Sequence, residues 1–486
     1  MPHDYSESRR NLLKTVAVSA TGAALVGASS TGQAATQVRP ATVPTDGSGN
    51  VRDGNLGPNM AGTRFRAVVS RGFGPNSTKL EELTLLPINE RQIVIKTEAT
   101  QCCYTMAARI LGKELGPPSD GPVPLNDIKA PTMQGHGGVG RVVAVGSAVR
   151  RVRVGDRVMV PVTPHCGVCY NCLHGRADRC MWGWGPAAKS PPIALAADGK
   201  EVFHGDDAPA FLAGMGEYMV MFEELTVPLF TDVPSEELAV LHCVGSAGLG
   251  TAMTLAPIRP GSSVAVFGLG PVGMSAVQGA HIAGATKIVG IDPVRARREA
   301  ALNFGATDVL DPNETRHWEL VAKIKQLCKN QTNRIYAGGT YQTPWRDGLM
   351  LDVGPDYTIE ACGRDPVVLR GMAVESSPDP TGIITMQEIF QTVPVHGHLC
   401  TTGIGFDPAD MVSFPADEWL DGSRQHHSSQ FGGTHALRDI PAYVRLIEAG
   451  KFDAKGMITR YSLDHFKEAF DAVARRTTLA AVITMS

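Results

Sequence analysis

The chain has 486 residues, 43% of them apolar and 19% charged, which suffices for two or three folded domains and excludes a largely disordered or fibrous polypeptide. Lys and Arg total 45 against 48 for Asp and Glu, so a net charge of -3 supplies no broad basic field and argues against nucleic acid as a partner. Ten cysteines are too few for a disulfide-dense scaffold of this length, and their clustering says more than their count.

The chain opens with Ser8, Arg9, Arg10, Asn11, Leu12, Leu13 and Lys14, followed by a mildly apolar stretch from Thr15 to about Gly32. Ser, Thr and Gly interrupt that stretch, which makes it too weak for a permanent membrane span. Small residues around Gly32 and Ala34 provide a cleavage site and a mature chain beginning near Ala35. This order of parts resembles a twin-arginine export signal, with Leu12 where Phe is commonest. The resemblance implies the twin-arginine export machinery as a partner and a bacterial periplasmic location. Residues 1–35 are then the signal, and residues 36–61, rich in Pro, Thr and Gly, a flexible linker. Because such signals belong to a route for folded proteins, a metal or cofactor can be loaded in the reducing cytosol, and export does not demand disulfides.

Over residues 62–243, valine-dense runs with Gly-Asp punctuation predict an irregular β domain, with strands at Phe65–Val69, Gln92–Lys96, Gly140–Val145 and Asp156–Val162. Within it Cys166, Cys169, Cys172 and Cys180 follow Cys-x2-Cys-x2-Cys-x7-Cys. Four thiolates so close can complete a tetrahedron around Zn2+ and leave no position for substrate, the mark of a structural site; two disulfides are the alternative. Over residues 244–430 strands alternate with helices: Val264–Phe267, a helix from about Val272, Lys287–Ile291, and a helix over Val294–Phe304. That alternation predicts a parallel sheet, so the fold class is α/β, a doubly wound Rossmann sheet joined to an irregular β-rich domain. Residues 431–486, with a helix at Leu463–Arg475 and a strand at Leu479–Thr484, return to the first domain.

The first strand of the alternating part leads into Gly268, Leu269, Gly270, Pro271, Val272 and Gly273, a GxGxxG turn opening a helix. Its glycines permit the turn, the approach of a pyrophosphate and close helix packing, and the helix N-terminus attracts the anion. Asp292 ends the next strand, where a carboxylate accepts the ribose hydroxyls and repels a 2′-phosphate, favouring NAD over NADP. Arg295, Arg297 and Arg298 follow closely, and a guanidinium there, Arg297 in particular, can also meet the cofactor.

Together these motifs, with Gly135-His136, Gly138 to Gly146, Cys243 to Gly250 and Asp356 to Gly363, resemble the zinc-containing medium-chain alcohol dehydrogenases from about Arg64 to the C-terminus. The resemblance implies a GroES-like catalytic domain carrying two zinc ions, one catalytic and one structural, and a Rossmann domain carrying NAD. It places Cys103, His136 and Cys243 as ligands of the reactive zinc and Thr105 as the hydroxyl that exchanges a proton with substrate. Cys103 is preferred to its neighbour Cys102 for its spacing to Thr105. Two thiolates and one imidazole leave a fourth position open for a small alcohol or aldehyde, which exchanges hydride with NAD. A homodimer or homotetramer is implied as well.

The sequence departs from that family at several points. Gly137 and Met106 stand where Glu and Asp are usual, Tyr104 and Ala480 where basic groups usually meet the pyrophosphate, and Ala108 where some relatives carry a relay histidine. Asn330 to Leu351 and Val374 to Ile384 are insertions. Trp182, Trp184, Phe211 and Tyr218 are candidates for a pocket lining or for packing, and Cys328, Cys362 and Cys400 are expected as small apolar core groups. Two readings compete with the NAD-dependent alcohol dehydrogenase: an aldehyde dismutase or dye-linked enzyme that retains its NAD, and a non-catalytic zinc and dinucleotide binder.

Overall fold

The structure, a computed structural model, describes residues 60–72, 76–111, 131–183, 191–205, 212–315, 317–329, 345–346, 349–350, 353–369, 371, 373–403, 410–416, 423–429 and 431–485. The export signal, nearly all of the linker, most of the first insertion, Trp184 and Phe211 lie outside the described residues. Among the described residues no single helix is long and apolar enough to cross a membrane.

Two β layers make the first domain. Arg64–Ser70, Thr78–Leu85, Ala194–Ala196, Glu201–His204 and Thr132–Met133 close into a barrel. The second layer runs in the order Val227–Pro228, Arg157–Val160, Gly138–Val145, Gln92–Gln101, Ala480–Thr484, Ile458–Ser462, with Tyr218–Phe222 also paired to Gln92–Gln101. Gln92–Gln101 is longer than its local pattern predicts. Its second half, from Ala99 to Gln101, pairs with Thr484 to Val482 at the far end of the chain, a partner that no local window contains. Register shifts at Val94/Ile95 and Thr97/Ala99 bend the strand so that it can serve both neighbours.

The second domain holds a sheet in the order Asp308–Leu310, Lys287–Ile291, Ser263–Phe267, Tyr357–Glu360, His398–Thr401, Gln425–Ser428. Every pairing in it is parallel. The order therefore reverses between Ser263–Phe267 and Tyr357–Glu360, which is the switch point where doubly wound sheets bind ligands. Ser263–Phe267 is buried throughout, as a central parallel strand must be. Pro271–Ile282 starts with proline at its first turn, where the missing N–H costs nothing. It packs on Val244–Gly250, and a Cβ on Gly248 would lie 2.2 Å from the Val272 carbonyl, so the crossing requires glycine. The tail does return to the first domain: the Phe466–Ala474 helix packs on the Tyr104–Leu111 helix, and Ala480–Thr484 completes the sheet.

His204, buried in the barrel wall, is pushed down to about 4 by burial, while its Nε2 lies 2.5 Å from the Val220 carbonyl. A histidine held neutral in the fold and free to protonate when unfolded leaves stability untouched above about pH 6.5 and lowers it steadily as pH falls toward 4. The urea midpoint is expected to drop across that window, and His204→Gln should flatten the drop.

Candidate active site beside a dinucleotide turn

Three distant segments converge. Cys102 N donates to the Ala481 carbonyl at 2.8 Å, which fixes the end of Gln92–Gln101 and sets Cys103 at the start of the Tyr104–Leu111 helix. Cys243 lies between the Ala239–His242 turn and the Val244–Gly250 helix, a segment tied to the first domain by Val162 N donating to the His242 carbonyl at 2.8 Å. His136 is presented by a glycine-rich run packed against two other segments. A Cβ on Gly135 would lie 2.5 Å from Gly214 N, and one on Gly214 would lie 2.0 Å from the Gly137 carbonyl. Thr100 Oγ1 donates to that same carbonyl at 2.6 Å.

The ligand atoms of Cys103, His136 and Cys243 all lie within 4.8 Å of one another, and all three residues are buried. Thr105 Oγ1 donates to Cys103 Sγ at 3.2 Å. A hydrogen bond from the Cys243 thiol, opposed by burial and helped by the His136 charge, holds Cys103 well below the usual thiol range. The same hydrogen bond and burial push Cys243 well above it. Cys102, by contrast, is a buried thiol pushed up by burial and by its neighbour Cys103, and it stands outside the cluster. Two soft sulfurs and an imidazole gathered without a fourth protein ligand among the described residues fit a zinc that keeps one position open.

His242 belongs to this environment and was not singled out by its sequence. It is fully buried, accepts from Gln101 N at 3.3 Å, and is pushed down to about 4 by burial and by His136. Adjacency to Cys243 was the one signal available. The carboxylates usual in the family have no place here. Gly137 adopts φ +109, and a Cβ there would lie 2.1 Å from the Val160 carbonyl. Met106 is buried and apolar.

The four-cysteine lobe forms a second cluster. Its cysteines are free, with Cys166 and Cys172 sulfurs 4.0 Å apart and Cys169 and Cys180 likewise 4.0 Å apart. That is about twice the ~2.05 Å of a disulfide and near the ~3.8 Å that four Zn–S bonds of ~2.3 Å would set. Backbone amides of Cys169 and Met181 donate to sulfur at 3.3 and 3.4 Å. The apolar core of the lobe is Cys172, Ala177 and Cys180, while Val168, Tyr170 and Leu173 are 78, 67 and 69% exposed. A segment with so little core gains most from a bound metal. Trp182 packs edge-on to Phe222 at 5.1 Å and Tyr218 edge-on to Phe65 at 5.9 Å, so both aromatics act in packing.

At the switch point Gly268 adopts φ +86, and a Cβ on Gly273 would lie 1.7 Å from the Gly268 carbonyl. Gly270 faces open space except for Arg297 Nη1, 3.9 Å from where its Cβ would be. The first and third glycines are thus required by the protein itself, and the second leaves the backbone open to a ligand. Asp292 accepts from Leu269 N at 2.7 Å and Val294 N at 2.8 Å, with Arg297 Nη1 3.8 Å away. Burial, partly offset by Asp292 and reinforced by Arg476, lowers the Arg297 guanidinium. Arg298 is committed to Asp311 at 2.8 Å and to the Asp292 and Pro293 carbonyls, and Arg295 to Glu299, so Arg297 alone of the three leans over the turn. Cys328 and Cys400 are buried as expected, but Cys362 is exposed. It follows the Tyr357–Glu360 strand where the chain leaves the sheet beside Gly268, so it borders the cleft and not the core.

Residues 89–231 match the alcohol dehydrogenase GroES-like domain, and residues 271–449 match the zinc-binding dehydrogenase domain. The chain carries both, and it belongs to the zinc-containing medium-chain alcohol dehydrogenase family. It is 28% identical over 429 residues to S-(hydroxymethyl)glutathione dehydrogenase of Escherichia coli O1:K1, covering 86% of this chain and 99% of that one. Among solved structures it resembles an alcohol dehydrogenase zinc-binding domain protein from Burkholderia ambifaria, with TM-score 0.69, 23% identity, and 87% and 99% of the two chains covered. It also resembles benzyl alcohol dehydrogenase from Acinetobacter calcoaceticus, with TM-score 0.65, 22% identity, and 87% and 100% covered.

Gly137→Glu, which restores the missing carboxylate, is expected to destabilise the chain by more than about 1 kcal/mol, because the site demands a positive φ and has no room for a side chain. Urea unfolding checks the stability, and metal analysis should show less zinc per chain.

Proposed function

We propose that the chain is a zinc- and NAD-dependent oxidoreductase that interconverts a primary or aromatic alcohol with its aldehyde. One zinc is held by Cys103, His136 and Cys243, and a second by Cys166, Cys169, Cys172 and Cys180. The carrying observation is the convergence of Cys103, His136 and Cys243 within 4.8 Å, with the Thr105 hydroxyl 3.2 Å from the first of them. Likeness to S-(hydroxymethyl)glutathione dehydrogenase and to benzyl alcohol dehydrogenase supports the alcohol and aldehyde assignment.

When bound, zinc supplies the positive charge that acidifies an alcohol and polarises an aldehyde. The residues around it do the rest. Thr105, which is partly exposed, would take the alcohol proton and release its own hydroxyl proton to solvent, and NAD held at the turn would supply the hydride acceptor. The N-terminus of Pro271–Ile282, opened by the Gly268–Gly273 turn, would receive the diphosphate. Asp292 accepts from the ribose hydroxyls with the lone pairs that its two backbone contacts leave free, which favours NAD over NADP. Thr105→Val keeps the shape and removes the proton path, and should lower kcat by about 10²- to 10⁴-fold. NADH formation across a panel of primary and aromatic alcohols, with NAD and NADP in parallel, tests substrate, cofactor and variant together. No turnover by a protein loaded with two zinc ions would overturn the reading.

Residues 1–35 are proposed to direct export through the twin-arginine machinery, on the strength of Arg9, Arg10 and the weak apolar run behind them. Replacing both arginines with lysine should keep the protein in the cytoplasm on cell fractionation.

A further inference from the structure

Arg476 is a left-handed residue, at φ +64, just past the Phe466–Ala474 helix. A turn of that kind is ordinarily left to glycine, and a long side chain there is held at a cost of about 1 kcal/mol or more. The side chain is only 7% exposed, and it is not spent on the turn. Its guanidinium donates to the Asp365 carboxylate and to the Glu375 carbonyl. Tyr104 OH donates to the other oxygen of Asp365 at 2.6 Å. The contact thus joins three separate parts of the chain: the helix beginning next to Cys103, the loop after Tyr357–Glu360, and the C-terminal return.

This cluster stands at the dinucleotide turn. Glu375, whose carbonyl accepts from Arg476, also accepts through its carboxylate from Arg295 N at 3.2 Å, at the start of the helix whose Arg297 Nη1 lies 3.9 Å from where a Gly270 Cβ would be. The charges balance as they stand, with Arg297 and Arg476 facing Asp292 and Asp365. A diphosphate brings two further negative charges into the same place. The helix N-terminus meets part of that charge, and a guanidinium that gives up its carboxylate meets the rest; Asp292 is held by two backbone amides at 2.7 and 2.8 Å and Asp365 by the Val368 amide at 3.2 Å, so Asp365 is the one placed to yield.

We propose that Arg476 is the cation for the dinucleotide diphosphate and that Asp365, steadied by Tyr104, is an internal stand-in that competes for it. The proposal rests on the dinucleotide assignment above. Cofactor binding then exchanges one ion pair for another, and Asp365 sets the affinity by opposing it.

The test is NADH titration of the full zinc-loaded chain, followed by nicotinamide fluorescence, with adenosine displacement as a control that lacks the diphosphate. Arg476→Gly suits the left-handed backbone and removes the guanidinium; it should weaken NADH binding about tenfold or more and leave adenosine unchanged. Asp365→Asn can still accept from Val368 N, now 3.2 Å from Oδ1, and should tighten NADH binding several-fold. The double variant should bind NADH more tightly than Arg476→Gly, whose unpaired carboxylate repels the diphosphate, and more weakly than Asp365→Asn. If Arg476→Gly binds NADH as well as the parent, or Asp365→Asn binds it more weakly, the cluster is a domain contact and the proposal falls while the dinucleotide assignment stands. Failure of the parent chain to bind NADH at all would overturn both.

Discussion

The pairing of Ala480–Thr484 with Gln92–Gln101 is the constraint on which the site depends. It is made between the start and the end of the folded chain, so the whole second domain must be threaded before it can form. Cys102 N donates to Ala481 at 2.8 Å, and the next residue is the first sulfur of the central cluster. The same return carries Phe466–Ala474 against Tyr104–Leu111 and delivers Arg476 to the cleft. One strand pairing therefore fixes the Cys103 thiol, the Thr105 hydroxyl two residues later, and the helix after which Arg476 is set. Long-range pairing of this kind is slow to form, which suits a protein that has to be complete before its metal site exists.

The second constraint is steric. His136 is carried by a glycine-rich run in which Gly135, Gly137 and Gly214 bring three backbones into contact too close for any Cβ. In a metal site an acidic neighbour usually fixes the imidazole and raises its basicity. Here Gly137 follows the histidine, and its surroundings leave no room for an acidic side chain at that position. The neutral, buried His242 adds no compensating negative charge. The two sulfurs then carry the balance for a divalent cation, consistent with a cluster in which one thiol is already held well below its ordinary range.

Features carried by local chemistry were legible in the sequence. The GxGxxG turn, the four-cysteine spacing and Lys287–Ile291 each lie within one short window, and the structure has the last at the predicted bounds. The meeting of Cys103, His136 and Cys243 was legible only through resemblance, since nothing local links residues so far apart. Three features left no local trace. The extension of Gln92–Gln101 depends on a C-terminal partner, the exposure of Cys362 on where the chain leaves the sheet, and the cleft position of Arg476 on a left-handed turn that its residue type would argue against. Tyr104 and Ala480 carry no charge, and the basic group that the structure brings beside Tyr104, Arg476, comes from a left-handed turn that no local pattern marks.

The dinucleotide side of the cleft follows one electrostatic rule. The two parallel strands that flank Ser263–Phe267 end in buried acids, or lead directly into them, and each acid is satisfied by backbone amides. Asp292 takes Leu269 N and Val294 N, and Glu360 takes Cys362 N at 2.9 Å, Gly363 N at 2.5 Å and Gly403 N at 2.9 Å. Burying a carboxylate is tolerable only when hydrogen bonds replace its water, and these amides do so. The bonds also tie down four loops, those after Ser263–Phe267, Lys287–Ile291, Tyr357–Glu360 and His398–Thr401, giving the cleft a rigid floor. Amides committed to acids cannot serve a diphosphate, so anion binding falls to the N-terminus of Pro271–Ile282 and to the guanidinium groups above it. A rigid acidic floor beneath a basic rim leaves the rim's own ion pairs as the adjustable part of the site.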